Sequence, residues 1–157
     1  MNDIETIEKT KALLGGKAQE ITNPSIRRIF VKVGPQDLVE AVKVLRDELG
    51  FAYLATVTGL DSGENFEIIY HFANEYTQLN VRTFIPKSGP HVPSICSVIP
   101  GAVMYEQELQ DMFGLIVDNI PDPRRLILPD DWPDGNFPLR KDWKFQRPEE
   151  KIPGEKS

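Results

Sequence analysis

Apolar positions in the first hundred or so residues recur with two different periods, and the periods divide the chain into elements. From Pro35 to Leu49, Leu38, Val42, Leu45 and Leu49 fall on one stripe of a 3.6-residue period. Pro35 suits the first turn of a helix and Gly50 supplies the stop, so the spacing predicts an amphipathic helix over 35–49. An earlier helix is predicted from Asp3 to Leu14, with Ile4, Ile7 and Leu14 partly aligned and Gly15-Gly16 ending it. Between the two, Ile26 to Val33 reads as a strand, with Ile26, Ile29, Val31 and Val33 apolar around two arginines. Three strand-like runs follow, Phe51 to Leu60, Phe66 to Phe72 and Leu79 to Ile85, separated by DSGEN and ANEYT. Spacers this short favour an antiparallel meander, because parallel pairing needs a crossover of roughly a dozen residues or more. The predicted class is α+β, a mostly antiparallel sheet covered by helices on one face.

After KSGPHVP, a short helix is predicted near Ser94 to Ile99 and a longer one from about Ala102 to Gly114. In the longer one Tyr105, Leu109, Met112 and Ile116 share a face, flanked by Glu106, Glu108 and Asp111. Beyond Gly114 the periodicity stops. Residues 121–157 hold seven of the chain's 13 prolines, and the stretch LPDDWPDGNFPLRKDW carries both tryptophans. Prolines at 129, 133 and 138 break any regular ladder every four or five residues. The expected organisation is a body over residues 1–114 and an extended, proline-rich C-terminal arm over 115–157, whose last stretch, RPEEKIPGEKS, has the composition of a frayed terminus.

Charge divides along the same line. The formal net charge is -6, and residues 121–157 hold eight basic and eight acidic side chains, so the first 120 residues carry all of the excess. An acidic chain lacks the basic face that nucleic acid requires, and an anionic membrane surface is disfavoured for the same reason. The longest apolar-leaning run, FAYLATVTGL, is about half of the roughly 20 residues that a spanning helix needs, so no direct membrane insertion is expected. The start, MNDIETIEKTK, does not read as a signal peptide. A single cysteine, Cys96, excludes an internal disulfide and a multi-cysteine cluster site built by this chain alone, and fits a reducing compartment.

Candidate chemistry is sparse. His71 lies in a strand pattern and His91 in a proline-rich loop, with no second histidine at helical spacing and no C-x-x-C, so both read as hydrogen-bonded or exposed side chains rather than metal ligands. Cys96 has no Lys, Arg or His within three residues and reads as a buried thiol. No nucleotide-binding glycine motif occurs. Glu108 and Asp111 are three apart and can meet on one helix face, the arrangement a small self-contained acid–base enzyme would use. Acids beside an apolar stripe more commonly form a solvated or partner-facing rim. The remaining signal is the arm, in which Arg124, Arg125, Trp132, Phe137, Arg140 and Lys141 combine side chains enriched at interface hot spots with prolines that reduce ordering entropy. Two readings stay open on physics alone: the arm docks on another chain, or it folds back to cover its own sheet with Trp132 and Trp143 as ordinary core residues; a free-standing binding module, a monomer with an ordered tail, is a further possibility.

The segment YEQELQDMFGLIVDNIPDPRRLILPDDWPDGNFPLRKD resembles the signature region of the respiratory complex I 30 kDa (C-type) subunit family. That pattern runs roughly W-x-E-R-E-x-x-D-[ML]-[FY]-G, then H-P-D-L-R-R-[IL]-L, then G-x-P-L-R-K-D. Glu106, Glu108, Asp111, Arg124, Arg125, Arg140 and Lys141 stand at matching positions, while Tyr105, Gln107, Ile120 and Pro123 depart from it. The LPDDWP wording is most similar to the branch found in membrane-bound, energy-converting nickel-iron hydrogenases. The resemblance implies a subunit with no cofactor of its own. It implies a tail laid along a hydrogenase-like large subunit, the homologue of the complex I 49 kDa chain, beside an iron-sulfur small subunit. Iron-sulfur clusters and a nickel-iron centre or quinone would then belong to partner chains. The implied place is the cytoplasmic side of the cell membrane, held there through those partners. The residues implied for partner binding are Glu106, Glu108, Asp111, Arg124, Arg125, Trp132, Phe137, Arg140 and Lys141.

Overall fold

A computed structural model describes residues 1–145. Helix α1 spans Asp3–Leu14, and Asn2 begins it by accepting from the Glu5 backbone while the Glu5 carboxylate reaches back to the Asn2 N–H, a reciprocal cap. Its fully buried stripe is Thr6, Thr10 and Leu14; of the two isoleucines, Ile7 is half-buried against the core and Ile4 is exposed. The two threonines tolerate burial because Thr6 Oγ1 donates to Asn2 O at 2.9 Å and Thr10 Oγ1 to Thr6 O at 2.7 Å. Helix α2, Leu38–Leu49, buries the predicted stripe, is entered through a short 3-10 turn at Pro35–Asp37, and ends on left-handed Gly50.

Five strands form the main sheet in the order β1-β2-β5-β4-β3. The meander β3 (Tyr53–Asp61), β4 (Asn65–Ala73) and β5 (Gln78–Pro86) is antiparallel as predicted. The expected strand at 26–33 is instead a hairpin of β1 (Glu20–Ser25) and β2 (Arg28–Lys32), and Ile26 sits exposed in its turn beside Arg27, whose φ is 61°. β1 escapes a periodicity reading because EITNPS is a polar edge strand that tolerates Pro24. β2 lies parallel to β5, since α2 and the β3–β4 hairpin supply the crossover.

One sheet face holds Ile29 and Val31 of β2, Leu79, Val81 and Ile85 of β5, and Phe66, Ile68, Tyr70 and Phe72 of β4, in register and all buried. The helices pack on this side. His71 lies on the opposite face, hydrogen-bonded to Thr58 at 2.9 Å and Asn80 at 2.6 Å.

Four predicted features are corrected. No helix forms at Ser94–Ile99; the segment is a turn, because Ser94 and the Ile95 N–H are directed at the Glu106 carboxylate rather than along a helix axis. A second, two-stranded parallel sheet joins β6 (His91–Pro93) to β7 (Ile116–Asp118). Leu115 and Val117 are core residues, so the body runs on past Gly114. Helix α3 spans Val103–Phe113 and packs on β3. It buries Glu106, Gln107, Leu109, Asp111 and Phe113, a face rotated from the predicted one, and Ile116 lies beyond it, exposed in β7. The proline-rich segment does not leave the body as an extended arm: between Leu126 and Lys141 it is tied to α3 and to Asp61 at the end of β3. The stretch RPEEKIPGEKS lies outside the described residues.

Candidate docking segment

The C-terminal segment is irregular in backbone yet closely determined, because carboxylates and carbonyls of the body take up its N–H groups. Asp111, projecting from α3, accepts from the backbone N–H groups of Leu126, Ile127 and Leu128 with its Oδ2 at 2.9, 2.8 and 3.1 Å. Successive N–H groups converging on one carboxylate form an anion nest, here occupied by the chain's own acid. The Leu139 N–H donates to Met112 O at 3.0 Å, and the Lys141 N–H to Asp61 Oδ2 at 2.9 Å. Gly114 ends α3 with φ 69°, and a Cβ there would lie 2.5 Å from the Phe137 ring, so the turn brings Phe137 flat against the backbone.

The arginines fall into two groups. Arg140 donates from Nε to Phe113 O at 2.6 Å, with its guanidinium 4.6 Å from the Phe137 ring centroid and 5.1 Å from that of Phe66. Arg125 donates from one Nη to the carbonyls of Pro129, Asp130 and Trp132 and from the other to Asp134 at 2.6 Å. Both guanidiniums are therefore spent on shaping the segment. Arg124 lies flat on Asp122 with two bonds of 2.9 and 2.7 Å, and its side chain is 83 % exposed. That fork holds the Asp122 carboxyl down to about 2.

The remaining predicted positions separate in the same way. Glu106 is fully buried, receiving Ser94 Oγ and the Ile95 N–H at 2.7 Å each, so it has no surface to offer a partner. Asp111 is also buried, and Glu108 is exposed with no hydrogen bond among the described residues. The acid–base pair imagined for Glu108 and Asp111 thus has one solvated member and one serving as a structural acceptor. Trp132 and Trp143 stack at 6.2 Å, each half-buried, and Trp132 Nε1 donates to Asn136 O. Lys141 is exposed and Phe137 half-buried. What the sequence reading missed is a set of large apolar side chains exposed along this segment: Leu126 at 41 %, Ile127 at 52 % and Leu139 at 51 %, each with its own N–H tied to the body, and Phe145 at 66 %. The family pattern already contained the leucine positions, but composition-based reasoning favoured arginine and tryptophan over them.

Asp61 sets a pH dependence. Burial pushes its carboxyl up, but the ion pair with Lys87 at 2.6 Å and the N–H groups of Lys141 and Gly63 outweigh this and bring it from 3.8 to about 2. A depressed folded-state value stabilises the fold above the unfolded value and loses that contribution as pH falls through the folded one. The isolated chain is expected to lose stability between about pH 4 and 2 through this group. An Asp61→Asn variant should show a flatter chemical-denaturation midpoint over that window, and an identical slope would refute the assignment.

Comparison with known proteins points one way. Residues 31–149 match the family described as respiratory-chain NADH dehydrogenase, 30 kDa subunit. In sequence the chain is similar to the C-type subunit of the NADH-quinone oxidoreductase of Chloroherpeton thalassium, 38% identical over 104 residues that cover 64% of this chain and 42% of that one. The chain therefore spans about two fifths of that relative's length. It is also similar to membrane-bound hydrogenase subunit beta of Pyrococcus furiosus, 31% identical over 130 residues, 80% of this chain and 75% of the other. In fold it is similar to a chain of the membrane-bound sulfane sulfur reductase, an archaeal respiratory membrane complex, with a TM-score of 0.80 at 22% identity over 90% of this chain and 85% of that one.

Proposed function

The chain belongs to the family of the 30 kDa subunit of respiratory-chain NADH dehydrogenase, and from that premise we propose that it is a non-catalytic, peripheral subunit of a multisubunit, membrane-associated oxidoreductase. The complex is of the energy-converting hydrogenase or NADH:quinone oxidoreductase type, as the names of the two relatives support. The subunit docks on a hydrogenase-like large subunit through its C-terminal segment, beside an iron-sulfur small subunit. Clusters, and a nickel-iron centre or quinone, are carried by those neighbours. It sits on the cytoplasmic side of the membrane through them; among the described residues no helix is long and apolar enough to cross a membrane.

The observation that carries docking is the set of exposed apolar side chains on a backbone already fixed in place. Single exposed leucines are ordinary, whereas a segment that holds Leu126, Ile127 and Leu139 outward on a backbone tied to the body has the character of a preorganised interface. Arg124, Glu108 and Lys141 supply a charged rim. Changing Ile127 and Leu139 together to aspartate is expected to cut co-purification with the large subunit at least tenfold, while the melting temperature of the isolated chain moves little. Undiminished co-purification would remove the segment from the interface. The packing of the segment on its own body also suits a second reading, a free-standing binding module. A tagged chain recovered as a monomer with no oxidoreductase subunits would favour that reading.

A further inference from the structure

The two edges of the five-stranded sheet are built differently. Edge strands expose unpaired N–H and C=O groups, and natural sheets blunt them with charge, proline or bulges. β1 follows that rule: it begins on Glu20, contains Pro24, and shifts register against β2 between Thr22 and Ser25. β3, at the opposite edge, presents YLATVTGL, with no charged residue and no proline before Asp61. Its only irregularity is a register shift between Leu54 and Thr56, where Tyr105 Oη donates to Ala55 O at 3.0 Å. Apart from the ladder to β4 and this bond to Ala55 O, no hydrogen bond reaches the backbone of β3 among the described residues.

That backbone is reachable. The side-chain direction of Gly59 is filled, since a Cβ would lie 2.5 Å from the Phe113 ring and 2.9 Å from Leu109. Gly59 nevertheless keeps intermediate exposure, and a glycine has only backbone to expose. At the start of the strand lies a groove lined by Arg46, Tyr53, Leu54, Ile99, Gly101 and Tyr105, in which the Arg46 guanidinium is already paired with Asp47 and donates to Val98 O. At the other end, Asp61 receives the Lys141 N–H, so the edge is continuous with the docking segment.

We infer that the β3 edge accepts an extended, uncharged segment of a neighbouring subunit as a sixth strand, paired along Thr56–Leu60, with an apolar side chain of that segment seated in the groove. Main-chain bonding to such an edge gives affinity, and pockets for alternate side chains give specificity. The neutral edge selects a neutral strand, because a charge laid along it would lose water without gaining a counter-ion. A second copy of this chain fits less well. Antiparallel self-pairing would bring the Asp61 end of one copy, with its C-terminal segment lying across it, against the groove end of the other. The inference rests on the chain being a subunit of a multisubunit complex.

The test compares backbone amide hydrogen exchange in the isolated chain and in the complex purified through a tag on this chain. Amides of β3 from Thr56 to Leu60 that exchange readily in the isolated chain are expected to slow at least tenfold in the complex, with β1 unchanged. The double variant Thr56→Lys, Leu60→Lys places charges on two exposed positions of the strand. It is expected to lose at least tenfold in co-purification at an unchanged melting temperature. Co-purification with β3 exchange unaltered overturns the strand-addition inference while leaving the subunit reading intact. Recovery of the chain with no partner subunit overturns both. Protection that instead grows with the concentration of the isolated chain assigns the edge to a second copy and overturns the choice of occupant.

Discussion

Replacing Glu106 with alanine is expected to take about 2–4 kcal/mol from the stability of the isolated chain, from a buried N–H left without an acceptor together with a cavity. The side chain is wholly inside, between α3 and the turn that follows β6, and receives Ser94 Oγ, the Ile95 N–H and Cys96 Sγ at 2.7, 2.7 and 3.1 Å. Alanine leaves the Ile95 N–H without an acceptor and opens a cavity where the turn is anchored. The turn has only one helical turn's worth of bonding of its own, the Val98 and Ile99 N–H groups on Ile95 O, so its entry at Ser94 and Ile95 depends on the acid. Burial pushes the Cys96 thiol up to about 11, and the Glu106 charge pushes in the same direction, so the thiol remains a donor to the carboxylate. Glu106→Gln keeps one acceptor oxygen but turns an NH₂ group toward other donors, and should recover only part of the loss. Urea denaturation of the two variants checks this, and a midpoint for the alanine variant within error of the unaltered chain would show that the carboxylate does not anchor the turn.

Two carboxylates of one short motif, EQELQD, thus have separate internal tasks, and the sequence could not separate them. Acidic residues on a helix read as surface by composition, and the partners of Glu106 lie 10 to 12 residues earlier while those of Asp111 lie 15 to 17 later. Elements whose cause is local were legible. The stripe from Leu38 to Leu49 with Gly50 behind it fixed α2, and the apolar runs with short polar spacers fixed the β3–β5 meander. Elements whose cause is non-local were not. β1 is a polar edge strand, and β6 and β7 are three residues each and pair across more than twenty residues of chain. The C-terminal segment stood out by its residue types, but its side chains are placed otherwise than expected. Arg125 and Arg140, expected to reach a partner, are consumed by backbone carbonyls of their own chain, and they leave Leu126, Ile127 and Leu139 outward instead.

Removing the Asp111 carboxylate is expected to release the C-terminal segment from the body. Asp111→Ala deprives the N–H groups of Leu126, Ile127 and Leu128 of their shared acceptor. Charge-assisted bonds of this kind are worth about 1.5–3 kcal/mol each to a buried acceptor in favourable cases, but three donors on one oxygen share it, and the freed N–H groups can turn to water. A loss of about 2–4 kcal/mol is expected for the packing of the segment, and much less for the sheet and α2. Limited proteolysis should therefore cut the variant between Asn119 and Pro129 while the body survives, whereas Glu106→Ala should open the body itself. The larger effect falls on assembly: a partner meeting the variant must order the segment at the moment of binding, a cost the unaltered chain has already met by folding. Association with the large subunit is expected to weaken at least a hundredfold. Asp111→Asn, which keeps an oxygen at the same reach without its charge, should lie between the two. If the alanine variant becomes sensitive to protease yet assembles normally, the fixed backbone of the segment is not what the partner recognises.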